Sequence, residues 1–203
     1  MEMLPSLAPS ARILATGSNA GEAVKWTVDA AKMNEATSLG TTGFTQYAAS
    51  KCLLHQQMAA LSARLDAAVS ASAALEEHHE GAATAAKPTL AQVHCCVWNP
   101  GAVKSSIGNN VSPLMAAVVK TLLAFVFRTP RTAAVIGLHA ATVSPPVHGM
   151  YVSPSSEMGN PKKFETPKPL PGASDAAVCA AAFDAVETLI VRALGNDIFK
   201  TKM

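Results

Sequence analysis

The stretch that decides the fold is Leu90-Ala91-Gln92-Val93-His94-Cys95-Cys96-Val97-Trp98, closed by Asn99-Pro100-Gly101. Nine mostly apolar residues run into a strong turn signal. They are too few for a helix that ends this abruptly, and they carry β-branched and aromatic side chains. The spacing predicts a buried strand. A second run of the same kind, Arg12-Ile13-Leu14-Ala15-Thr16, opens onto Gly17-Ser18-Asn19-Ala20-Gly21. It predicts another buried strand ending in a small-residue loop.

Between these strands lies helical spacing. Phe44, Tyr47, Leu54, Met58, Leu61 and Leu65 recur at turns of a helix that begins near Gly43. The alanines that follow extend it to about His79, and Glu80-Gly81 and Lys87-Pro88 end it. Residues 22–43 have mixed polarity and predict a surface connection with one short helix. Residues 67–89 are low-complexity (Ala, Ser, Glu, His) and are expected to protrude. Thr129-Pro130 is an N-cap followed by proline at the first helical position, so a helix should run from there to about Thr142. Gly149 to Ser153 reads as a short strand, and residues 154–173 as a Pro-rich loop. Ser174-Asp175 caps a last helix reaching Leu194. Strand–helix–strand–helix alternation of this kind predicts a parallel α/β sheet covered on both faces. All of 1–203 reads as a single domain.

Composition narrows the function classes. Hydrophobic residues make up 49% and charged residues 15%, which suits a packed core rather than a disordered chain. The net charge of +2 with no basic cluster argues against a nucleic-acid partner. The four cysteines fit neither zinc spacing nor a disulfide framework, which points to a reducing compartment, the cytoplasm. Thr201-Lys202-Met203 is a relative of the Ser-Lys-Leu address and makes a peroxisome or glycosome the alternative. Met1 to Ala11 lacks the layout of a signal peptide. Leu114 to Phe127 is apolar but interrupted by Lys120 and shorter than a bilayer span. It reads as a buried or lid helix, with a monotopic membrane contact as the alternative. Glu76 to Glu80 reads as a solvated face, not a metal cluster, and His94-Cys95-Cys96 as core. His139 and His148 have no assigned role.

The chemistry sits on the first long helix. Tyr47 and Lys51 are four residues apart, so they share one face. An ammonium beside a phenol favours the phenolate and makes a phenol a usable acid or base.

Three features stand in order along the chain: a strand ending in Thr16-Gly17-Ser18, then Tyr47-Ala48-Ala49-Ser50-Lys51, then a strand ending in Pro100-Gly101-Ala102-Val103-Lys104-Ser105. Together they resemble the C-terminal half of the short-chain dehydrogenase/reductase family. The insertion Trp26 to Asn34 is similar to that of its retinol-dehydrogenase-like, WW-domain-oxidoreductase-like branch. Arg128-Thr129-Pro130 and Gly149 to Ser153 look like the family's late helix start and last strand. The resemblance implies a partial Rossmann-type doubly wound parallel sheet, the family's strands 5–7 with their helices. The cofactor-binding N-terminal half would then be missing from 1–203, for no Gly-x-x-x-Gly-x-Gly occurs in it.

By the same resemblance Tyr47 is the general acid or base, Lys51 holds it and the nicotinamide ribose, and Ser18 donates to the substrate oxygen and to the tyrosine. Pro100, Gly101, Val103 and Ser105 (where the family usually has Thr) line the nicotinamide. The implied activity is NADP- or NAD-dependent interconversion of a carbonyl and an alcohol. The apolar segment 106–128 favours a lipophilic substrate. A truncated chain is expected to be weak or inactive alone, and marginally stable unless a second copy or a partner chain covers the edge of strand 12–16. The alternative is a non-catalytic interaction protein that keeps the substrate half of the fold.

Overall fold

The computed structural model describes residues 11–23, 43–77, 93–104, 127–154 and 164–194. Among them, β1 (Arg12–Thr16), α1 (Gly43–Glu77), β2 (His94–Trp98), α2 (Pro130–Thr142), β3 (Met150–Val152), β4 (Lys168–Pro169) and α3 (Ala176–Leu194) follow in chain order. A 3-10 helix, Asn19–Glu22, follows β1.

The strands form one sheet in the order β1-β2-β3-β4. β1 runs parallel to β2, with Arg12 opposite His94 and Thr16 opposite Trp98. β3 is also parallel to β2, with Val97 opposite Tyr151, and β4 is antiparallel to β3. Side chains alternate across β2, as the period of a strand requires. Cys95 and Val97 join Met58, Leu65, Tyr151 and Leu170 in the core beneath α1. Cys96 joins Ile136, Ala140 and Val152 beneath α2 on the opposite face. The α/β reading therefore holds, as a mostly parallel four-stranded sheet with helices on both faces.

Local chemistry sets the boundaries. Thr129 Oγ1 accepts from Thr132 N–H at 3.1 Å, and Pro130 opens α2 as its first residue. Asp175 Oδ1 accepts from the N–H groups of Ala177 and Val178 and so caps α3. Gly137 lets α2 approach β2: a Cβ there would stand 3.2 Å from the Trp98 ring. Arg64 ties α3 to α1. Its guanidinium lies 4.1 Å from the Phe183 ring centre and 2.6 Å from Asp184 Oδ1.

One expectation changes. The Pro-rich stretch expected to be loop contains β4 and an isolated bridge between Pro154 and Phe164. Proline is compatible with β4 because the strand closes the sheet order, where its missing N–H leaves no ladder bond unmade. The extension of the first helix through the alanines holds: α1 continues to Glu77, and alanine has the highest helix propensity. Residues 24–42, which hold the Trp26 insertion, and 105–126, which hold Ser105 and the expected substrate wall, lie outside the described residues.

β1 and β2 differ in cover. β2 is buried at Cys95, Cys96 and Val97, whereas every residue of β1 from Arg12 to Ala15 is half-buried and Thr16 is exposed. β1 ends the sheet order among the described residues. Among those residues no helix is long and apolar enough to cross a membrane.

Candidate functional site

The three parallel strands end on the same side, and the turns that follow them meet there. After β1, Gly17 N–H donates to Trp98 O at 2.8 Å and extends the ladder by one residue. No side chain fits at that point, since a Cβ on Gly17 would stand 2.4 Å from Val97 Cγ1. The chain then turns at Ser18, whose Oγ accepts from Ala20 N–H at 3.2 Å. Accepting that bond leaves the hydroxyl's own proton to donate.

α1 passes beside this turn. Ala48, Ala49 and Cys52 are buried, while Tyr47 on the same helix is 39% exposed. Lys51 Nζ donates to Thr16 O at 2.9 Å, which fixes the ammonium at the carboxyl end of β1. The same nitrogen lies 5.8 Å from the centre of the Tyr47 ring, within cation–π reach. An ammonium carries three donors and Thr16 uses one. The structure thus brings Tyr47 and Lys51 together, with Lys51 anchored two residues before Ser18.

The Pro100-Gly101 turn follows β2. Gly101 has φ +72°, in the left-handed region that favours glycine. Its N–H donates to Asn99 Oδ1 at 3.0 Å. Beyond it, Lys104 N–H donates to Arg128 O at 2.9 Å and Arg128 N–H to Ala102 O at 2.7 Å. This short parallel bridge uses the groups flanking Val103, so Val103's own peptide groups point to the other side.

A polar network that sequence reasoning missed joins the strand ends. Asn19 Oδ1 accepts from Tyr151 O–H at 2.9 Å and from Asn99 Nδ2 at 2.8 Å. Asn99 Nδ2 also lies 3.4 Å from Ser153 Oγ. Two donors on one oxygen fix the Asn19 amide, and its Nδ2 is turned away from them. Burial pushes the Tyr151 phenol up, with Glu22 and Tyr47 adding to the shift, so Tyr151 is a neutral donor here. The signals in sequence were faint: Asn99 read as a turn residue and Tyr151 as a strand residue.

His55 completes the site from below. It is fully buried, and its Nδ1 stands 3.0 Å from Pro171 O. Its pKa is lowered, chiefly by burial.

A second polar group lies at the opposite end of the sheet. His148 Nδ1 accepts from Cys95 N–H at 3.1 Å, and its Nε2 lies 2.8 Å from Ser62 Oγ and 3.4 Å from Asp66 Oδ1. These are the residue types of a hydrolase triad in the wrong arrangement. With Nδ1 accepting, the proton of a neutral ring sits on Nε2, which cannot then accept the Ser62 proton. His148 instead stands in for a strand carbonyl at the start of the β2–β3 ladder. His139 stacks on Phe164 at 3.9 Å. Among the described residues no group of His, Cys, Asp and Glu could hold a metal ion.

No protein-family model matches this chain, and no curated protein matches it.

Proposed function

We propose that this chain is the substrate half of a short-chain dehydrogenase/reductase, acting on a lipophilic carbonyl/alcohol pair with NADP or NAD. The observation that carries the reading is Lys51 Nζ held on Thr16 O, two residues before Ser18, with the Tyr47 ring centre 5.8 Å from the same nitrogen. In this reading Tyr47 gives its proton to a carbonyl oxygen, or takes one from an alcohol. Lys51 keeps a positive charge beside the phenol. Ser18 donates to the same oxygen. A positioned acid of this kind contributes about 10²–10⁴ in rate. The cofactor, when bound, supplies or accepts the hydride. The residues present suit only its nicotinamide end, where Lys51 and the Pro100–Val103 turn would lie. The sequence supplies no Gly-rich turn for a pyrophosphate, so the chain alone should bind NADPH weakly or not at all. The finer fold reading, a partial Rossmann sheet equivalent to the family's strands 5–7, belongs to the same proposal.

One observation favours a second reading, a non-catalytic interaction protein. β1 ends the sheet among the described residues and its side chains are half-exposed. An end strand of that kind is a template for a strand of a second copy or of a partner chain. Tyr47→Phe separates the two. Turnover of decanal at millimolar NADPH or NADH, a concentration that offsets weak cofactor binding, should be slow but measurable in the wild type and lost in Tyr47→Phe. A wild type with no turnover even at millimolar concentrations of either cofactor would contradict the enzyme reading and leave the second.

A further inference from the structure

We propose that His55 is a positioning residue, a neutral wedge that fixes the segment Gly17–Gly21 against α1 so that Ser18 and Asn19 hold their places beside Tyr47 and Lys51. The value of that placement rests on the functional reading above, whereas the wedge itself rests on the fold.

His55 lies one helical turn beyond Lys51 and two beyond Tyr47, on the same face of α1. Its ring is fully buried. A carbonyl oxygen only accepts, so the contact with Pro171 O places the ring proton on Nδ1. A neutral ring then carries a bare lone pair on Nε2. That nitrogen is buried, with no hydrogen-bond partner among the described residues. It faces Gly17, where a Cβ would stand 2.7 Å away. The other edge of the ring faces Gly21, where a Cβ would stand 2.9 Å from Cε1 and 3.1 Å from Nδ1. The two glycines bracket Ser18, Asn19 and Ala20, and the imidazole fills the space that both leave. On a third side Tyr151 meets the ring edge-on at 5.2 Å and passes its O–H to Asn19 Oδ1. One side chain therefore supports both ends of the turn and the tyrosine that orients its asparagine.

The arrangement suits only the neutral ring. A proton on Nε2 would face Gly17 with no acceptor and would bury a charge. Burial is the largest influence and lowers the pKa, and Lys51 on the same helix lowers it further. The Pro171 carbonyl and Glu22 on the 3-10 helix oppose them. Tyr151, pushed up by burial, brings no charge. The folded pKa is thus depressed, so the unfolded chain takes up the proton first as pH falls. The support is complete above the ordinary histidine value of about 6.5 and weakens progressively below it.

Long-range proton–nitrogen NMR on the full chain, from pH 7.5 down to 5, tests this. The expected result is a neutral Nδ1–H tautomer at pH 7.5 and an ionisation midpoint below about 6.5. The amide signals of Gly17 to Gly21 should move in step with that ionisation. In His55→Asn, which keeps a donor near the place of Nδ1 and does not titrate, that movement should vanish. An Nε2–H tautomer, a midpoint at or above the ordinary value, or unchanged movement of the 17–21 signals in His55→Asn would overturn the proposal. If His55→Asn fails to fold, the tautomer and midpoint of the wild type decide. None of these signals depends on turnover, so an inactive chain would count against the enzyme reading alone.

Discussion

The two ends of the parallel sheet use polar side chains differently. At the amino end His148 completes the ladder, accepting from Cys95 N–H and meeting Ser62 and Asp66 with its other nitrogen. Every polar atom of that ring is spent on the fold. At the carboxyl end, Asn19, Asn99 and Tyr151 also bind one another, but the cluster leaves donors over. Ser18 Oγ is bonded as an acceptor and Lys51 uses one of its three donors on Thr16 O, while Tyr47, its ring 5.8 Å from Lys51 Nζ, is exposed. A polar cluster that satisfies itself is architecture. One that is held rigid with donors to spare is equipped to bind an oxygen. The difference, more than the residue types present, supports the proposal that the carboxyl end is the site.

Substitutions at the two ends should therefore break different properties. The largest effect is expected for Tyr47→Phe, which should lower carbonyl turnover by about 10²–10⁴ and leave the melting temperature unchanged, since the phenol is exposed. Steady-state rates beside a thermal melt check both halves. Asn99→Ala strips partners from Asn19 Oδ1 and Gly101 N–H at a buried position. It should cost about 1–3 kcal/mol in urea unfolding and lower activity as well. Ser62→Ala at the amino end should cost less, about 1 kcal/mol, because Asp66 stands ready to accept from His148 Nε2. It should leave turnover untouched; a larger catalytic loss than at Asn99 would reverse the comparison. The smallest effect is expected far from both ends. Arg64 and Asp184 are exposed, so a double-mutant cycle on the pair should return about 0.2–1 kcal/mol.

Cysteine chemistry sharpens the same contrast. Cys95 lies beside the amino-end cluster and burial pushes its thiol up to about 11. At pH 8 it should stay protonated and resist iodoacetamide in the folded chain, and labelling should appear only with denaturant.

The fold was largely legible in sequence because its signals are local. The runs at 12–16 and 94–98 are apolar and end in turn residues, and the caps at Thr129 and Asp175 are short-range chemistry. β4 was not legible, since prolines at its position suggest loop until an edge is known to be there. The Tyr47–Lys51 pair was legible because four residues make one helical turn. Its surroundings were not. Asn99 reaches Asn19 across 80 residues and Tyr151 reaches it across 132, and no local pattern carries such pairings. His55 and His148 were opaque for the same reason: each is defined by a carbonyl or N–H contributed from far along the chain.

The central claim is that the carboxyl end of the sheet, and not the amino end, receives a carbonyl ligand. Titrating the isotopically labelled chain with 2-decanone and millimolar NADPH, and following backbone amides by NMR, tests it most directly. The account predicts displaced signals at Ser18, Asn19, Lys51 and Gly101, with Cys95 and Gly149 unmoved. Displacement confined to the amino end, or no displacement at either end, would contradict it.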